Sequence, residues 1–260
     1  MHNTIKSYDS SVLLSEIASN AGAIMLENGA EIYRVEDTIE RIIRSKENIK
    51  DVDVYSTFNV IILSFSYEGK VQTNVRRVKR RSNNLYYVDK VNSFSRRFVS
   101  GELSLEEALK ELDAIKNDKG KPYWYKIVGA GLAAGAYSLL LKGGIKEMLI
   151  SFCVGLIAFY LSGLVEKKGN GFFVVNFLYG VIVSSLTLLF RSFYPGINFD
   201  SIVIASIMAF LPGMIVTNAM RDLMGGDSTS GLTGAVVAIL ISTAIAMGVG
   251  IPITMLRLWG

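Results

Sequence analysis

The chain has 260 residues, half of them hydrophobic and 19% charged, with 24 glycines and 4 prolines. Residues 1–123 carry 19 of the 27 Lys and Arg and 18 of the 23 Asp and Glu. That asymmetry excludes a uniform soluble globule, and the apolar content excludes a disordered chain. The pattern predicts a multi-pass α-helical membrane protein with an N-terminal cytoplasmic α+β domain. The domains are expected at 1–121 and 122–260. Cys153 is the single cysteine and His2 the single histidine, so an intramolecular disulfide and a His/Cys zinc cluster are excluded. No cofactor or metal is expected, and a net charge of +4 does not point to nucleic acid.

The N-terminus, MHNTIKSYDSS, is polar with no apolar stretch behind it. It does not read as a signal peptide, which predicts a cytoplasmic first domain. Helices are expected at 11–28 and 31–46, where Ile32, Val35, Ile39, Ile42 and Ile43 recur at helical spacing. Residues 52–78 read as strands turning at Glu68-Gly69-Lys70. Two helices follow near 83–100 and 104–117, the second opened by a capping-box pattern at Ser104 to Glu107. Arg76, Arg77, Lys79, Arg80 and Arg81 form the densest charge run. It suits either a solvated strand end or anionic lipid headgroups.

Five apolar stretches of about 20 residues follow, at 124–141, 147–165, 172–193, 199–219 and 232–256. Lys116, Lys119, Lys121 and Lys126 favour a cytoplasmic N-terminal side, while the later loops do not decide the orientation. Tyr123, Trp124, Tyr125 and Trp259 suit membrane interfaces. Small residues such as Gly131, Gly135, Gly155, Gly180 and Gly248 suit close helix packing in lipid.

The chemistry concentrates around the fourth stretch. Pro212 and Gly213 predict a helix break, which persists in a bilayer only where protein or a water-filled cavity receives the freed backbone groups. Broken helices are a recurrent way to build transporter sites. Thr217 and Asn218 bring donors and acceptors, and Arg221 can clamp a carboxylate through two parallel hydrogen bonds. Asp222 and Asp227 can carry a proton or bind an ammonium group. Asp227 to Ser230 can cap the next helix, with Ser230 in reach of the same site. The bland alternative is an ordinary loop with a salt-bridged Arg and a helix cap. On the helix at 31–46, Glu31, Arg34, Glu36 and their charged neighbours suit a solvated face, with Asp37–Arg41 and Glu40–Arg44 spaced as ion pairs.

The stretch PGMIVTNAMRDLMGGDSTSG (Pro212 to Gly231) resembles the signature of the threonine/serine exporter family, in particular its N-terminal-domain subunits. The stretch NGAEIYRVEDTIERI (Asn28 to Ile42) resembles that family's other recurrent block. The resemblance covers nearly the whole chain. It implies secondary export, driven by the proton motive force, of threonine and serine or of a dicarboxylate such as succinate. It implies a partner, a small membrane subunit supplying five more spans, and a place in the cell membrane. It also implies a regulatory or gating role for Glu31, Arg34 and Glu36. Leu232-Thr233-Gly234-Ala235 stands where relatives often carry a basic residue. Two alternatives stay open on the residues alone: a membrane-tethered hydrolase using the carboxylate-rich helix, and a ligand sensor acting through the first domain. Self-association is open as well.

Overall fold

The computed structural model describes residues 4–79 and 81–259, without the side chains at 257 and 259. His2, Arg80, and the side chains of Arg257 and Trp259 lie outside the described residues, and with them the interfacial placement of Trp259. The chain divides into two units. The first comprises 1–120 and 214–235; the second comprises 121–213 and 236–260.

In the first unit, α1 (Tyr8–Glu27) and α2 (Ile32–Arg44) precede an antiparallel meander. Its strands are β1 (Ile49–Ser56), β2 (Val60–Tyr67) and β3 (Lys70–Arg77), in that order across the sheet. Then come α3 (Leu85–Val99) and α4 (Leu105–Asn117). Ser7 caps α1 through its hydroxyl, which accepts the Ser10 amide. Apolar residues surround α1 on most sides, and it runs through the core with Leu14, Ile17, Ala21 and Met25 buried. β2 alternates, sending Ile61, Leu63, Phe65 and Tyr67 inward. β2 and β3 join through Glu68 and Gly69, both at positive φ, the geometry a two-residue hairpin requires. Ser104 and Glu107 close the reciprocal capping box at the start of α4.

The second unit holds α5 (Tyr123–Leu140), α6 (Ile145–Lys167), α7 (Phe172–Phe193) and α8 (Phe199–Ile207). A 3₁₀ turn, Met208–Phe210, follows α8. The chain is then extended at Leu211 before α9 (Gly213–Met224) and α10 (Ser228–Trp259). The residue before a proline is pushed out of the helical region, which accounts for the break. Within the second unit, Phe210 stacks on Tyr179 of α7 with centroids 3.7 Å apart. The Tyr179 hydroxyl donates to the Ser206 carbonyl at 2.5 Å, fixing one of the last turns of α8. Small residues set the close helix approaches: a Cβ at Gly180 would lie 2.5 Å from the Ile245 carbonyl, and one at Gly248 would strike the Phe177 carbonyl.

Among the described residues, three helical stretches are long and apolar enough to cross a membrane: Ile145–Lys167, Phe172–Phe193 and Ser228–Leu256. The broken pair Phe199–Phe210 and Gly213–Met224 makes a fourth if it counts as one span. α5 is helical but is not among them. Its first turn carries Tyr123, Trp124, Tyr125 and Lys126, and small residues fill its middle. The fold is therefore mostly helical with three or four candidate spans.

Candidate functional site

The polar stretch from Asn218 to Ser230 folds as a helix–turn–helix. α9 closes with Gly226 at φ 90°, where the Gly226 amide donates to the Leu223 carbonyl and the Asp227 amide to the Asp222 carbonyl. Paired bonds of this kind satisfy the last carbonyls of a helix, and glycine takes the left-handed position without penalty. Asp227 then precedes α10: its carbonyl accepts the Gly231 amide, and its carboxylate accepts the Ser230 hydroxyl at 3.2 Å. Gly231 lets α10 press on Leu223 and the Ala219 carbonyl. Asn218, Arg221 and Asp222 fall at positions i, i+3 and i+4 and so share one face of α9.

That face meets the start of α2, inside the first unit. The Asn218 amide donates to the Gly29 carbonyl at 3.1 Å. Arg221 forms an ion pair with Glu31 in which the Arg side chain is 50% exposed and the Glu side chain 17%. Glu31 precedes α2 yet places no side-chain bond on its amides. Asp222, which is 9% exposed, lies near the Ile32 amide at the start of α2. A carboxylate there faces the positive end of the helix. The sequence reading placed residues 214–219 in the fourth apolar stretch; the structure groups 214–235 with the first unit because this polar face finds its partners at residues 29–32.

Glu36 lies one turn further along α2. Its carboxylate accepts the Ser56 amide at 2.6 Å. Burial pushes its pKa above the ordinary value; the Ser56 bond opposes this, and the charges of Asp227 and Asp222 add to the rise. Arg34 points elsewhere, lining a groove with Asn92, Ser95 and Arg96 of α3. Thr217 is exposed, and Ser230 is buried behind Asp227.

The sequence reading did not assign Arg81 to this site. Arg81 lines an open cleft of ≈ 90 Å³ together with Phe58, Asn83, Asn218 and Asp222. Its guanidinium lies 4.3 Å from the centre of the Phe58 ring and donates to the Phe58 and Ala30 carbonyls, each at 3.3 Å. The basic run is thus split. Arg76 reaches Asn20 on α1, Arg81 turns into the cleft, and Arg77 and Lys79 are exposed. The available signal was Arg81 closing a basic run only a few residues before α3, but its partners are far away in sequence.

The model of the family described as "Putative threonine/serine exporter" matches residues 16–256. A Klebsiella aerogenes protein named "Probable succinate transporter subunit YjjP" is 25% identical over 240 residues, covering 91% of this chain and 90% of that protein. An Escherichia coli (strain K12) protein of the same name is 22% identical over 254 residues, covering 95% of each. No solved structure matches. The matches are to transporters and not to enzymes, so the hydrolase alternative falls away.

Proposed function

The chain belongs to the threonine/serine exporter family, and on that premise we propose that it is one subunit of a proton-driven secondary exporter of small carboxylate metabolites. Threonine and serine, or a dicarboxylate such as succinate, are the substrate classes that the family's description and the relatives' names supply. Five spans, α5 among them, would complete its membrane part, with residues 1–121 on the cytoplasmic side. A small membrane subunit would contribute the rest of the path.

The observation that carries this reading is the polar face of α9 engaging α2 through the Arg221–Glu31 pair. Glu31 is a carboxylate bound where a substrate carboxylate would bind a guanidinium. Opening that pair exposes Arg221, and closing it withdraws the charge; two such states are what alternating access requires. Asp227 sits at the turn between α9 and α10 and would exchange the coupled proton with Asp222. Arg34, which faces away from the cluster, has no part in this scheme.

Arg221→Ala should abolish export while membrane insertion and the melting temperature of the purified chain stay close to wild type. Wild-type flux in that variant would remove Arg221 from the transport cycle. Asp227→Asn should flatten the dependence of flux on the proton gradient, and an unchanged dependence would exclude Asp227 from coupling.

A further inference from the structure

Two guanidiniums lie near Asp222, and they differ in one respect. Arg221 is half-exposed and already held by Glu31. Arg81 is half-buried, and among the described residues no carboxylate lies within 4.0 Å of it. Its recorded partners are two neutral carbonyls at 3.3 Å and the face of Phe58. A guanidinium has five donors, so two long bonds leave it under-satisfied. Partial burial works against its charged form, while the Asp222 charge supports it. The cost would be offset by an anion entering the cleft, because charge-assisted bonds in a fixed fork geometry are about twice as strong as neutral ones.

The cleft also carries the opposite charge. Asp222 lines it near the Ile32 amide, and an ionised carboxylate with one such neighbour keeps acceptor capacity. A ligand with two negative charges would meet Arg81 favourably and Asp222 unfavourably. A ligand with one carboxylate and one ammonium would meet both favourably. Asn218 and Asn83 add amide groups on the same wall. The cleft, at ≈ 90 Å³, restricts the ligand to a small one.

We propose that Arg81 is the guanidinium that receives the substrate carboxylate in the state with Glu31 on Arg221, and that Asp222 receives the ammonium. The cleft is then selective for a small zwitterionic α-amino acid over a dicarboxylate. This rests on the exporter reading and makes Arg81 and Asp222 the specificity-determining residues of the same site.

The test is calorimetric titration of the purified full chain in detergent with L-serine, L-threonine and succinate, on wild type, Arg81→Gln, Arg81→Lys and Asp222→Asn. Wild type should bind an amino acid more tightly than succinate. Arg81→Gln should weaken every ligand at least about tenfold. Arg81→Lys should fall between, since it keeps the charge and loses the fork. Asp222→Asn should shift the amino acid/succinate affinity ratio toward succinate by about tenfold, a change of ratio that general loss of structure would not produce. Should Arg81→Gln not fold, that ratio decides alone. Absence of amino acid binding by wild type, a preference for succinate, or unchanged affinity in folded Arg81→Gln would each overturn the assignment. The same variants, reconstituted with the co-expressed five-span subunit for flux, separate the two claims. Binding without any flux would sink the exporter reading and leave the cleft assignment standing, whereas flux indifferent to Arg81→Gln would do the reverse.

Discussion

Glu36 shows how a single side chain carries both packing and charge. It holds the Ser56 amide, yet burial and two nearby carboxylates disfavour its ionised form. Its folded pKa is raised, so the native state binds more protons than the unfolded state just above the ordinary value of 4.5. Its contribution to stability therefore falls as pH rises from that value through the raised one. Glu36→Gln keeps an acceptor for Ser56 and removes the charge. Its melting temperature should hold steady across that window where wild type declines, and parallel curves for the two proteins would refute the assignment. At this scale much was legible. Arg221 and Asp222 stand out as charges in an apolar half, and Arg41 and Arg44 pair with Asp37 and Glu40 as their four-residue spacing requires. The partners of Asn218 and Arg221 were not legible. Asn218 meets Gly29 across 189 positions, and no local periodicity encodes such a contact.

At the scale of elements, local signals read well and tertiary ones did not. The capping box at Ser104, the turn at Glu68-Gly69 and the break before Pro212 all follow from neighbouring residues. α9 is the counter-example. Its apolar start continues the run from Phe199, but its polar face belongs to the first unit. A second element shows how a linker is pinned. Asp118 accepts hydrogen bonds from Lys90, Tyr86 and the Gly120 amide, which hold its carboxyl down to about 2. A lowered pKa stabilises the fold above the ordinary value of 3.8, and the contribution is lost as pH falls toward about 2. Asp118→Asn should lose stability at neutral pH and flatten the acid limb of the stability profile, and an unaltered acid limb would contradict this. α10 offers a matched pair. Gly248→Ala would press on the Phe177 backbone, whereas nothing lies within 4 Å of a Cβ at Gly250. The first should cost about 1–3 kcal/mol, by overpacking, and the second should be close to neutral. Equal melting temperatures would mean that α7 and α10 do not pack this closely.

For the whole molecule, the split in charge density anticipated a charged first part and a second part of apolar helices with small residues. It did not anticipate that residues 214–235 would close the first unit. That placement brings Gly29 and Glu31 together with Asn218 and Arg221 in one polar cluster. Export by a subunit that needs a partner can be measured directly. The direct measurement is efflux from proteoliposomes preloaded with labelled serine, threonine or succinate. This chain is reconstituted alone or with a co-expressed five-span subunit, with and without a proton gradient. The account predicts gradient-dependent efflux only when both subunits are present. Folded, inserted protein that gives no efflux of any of the three under either condition would contradict it.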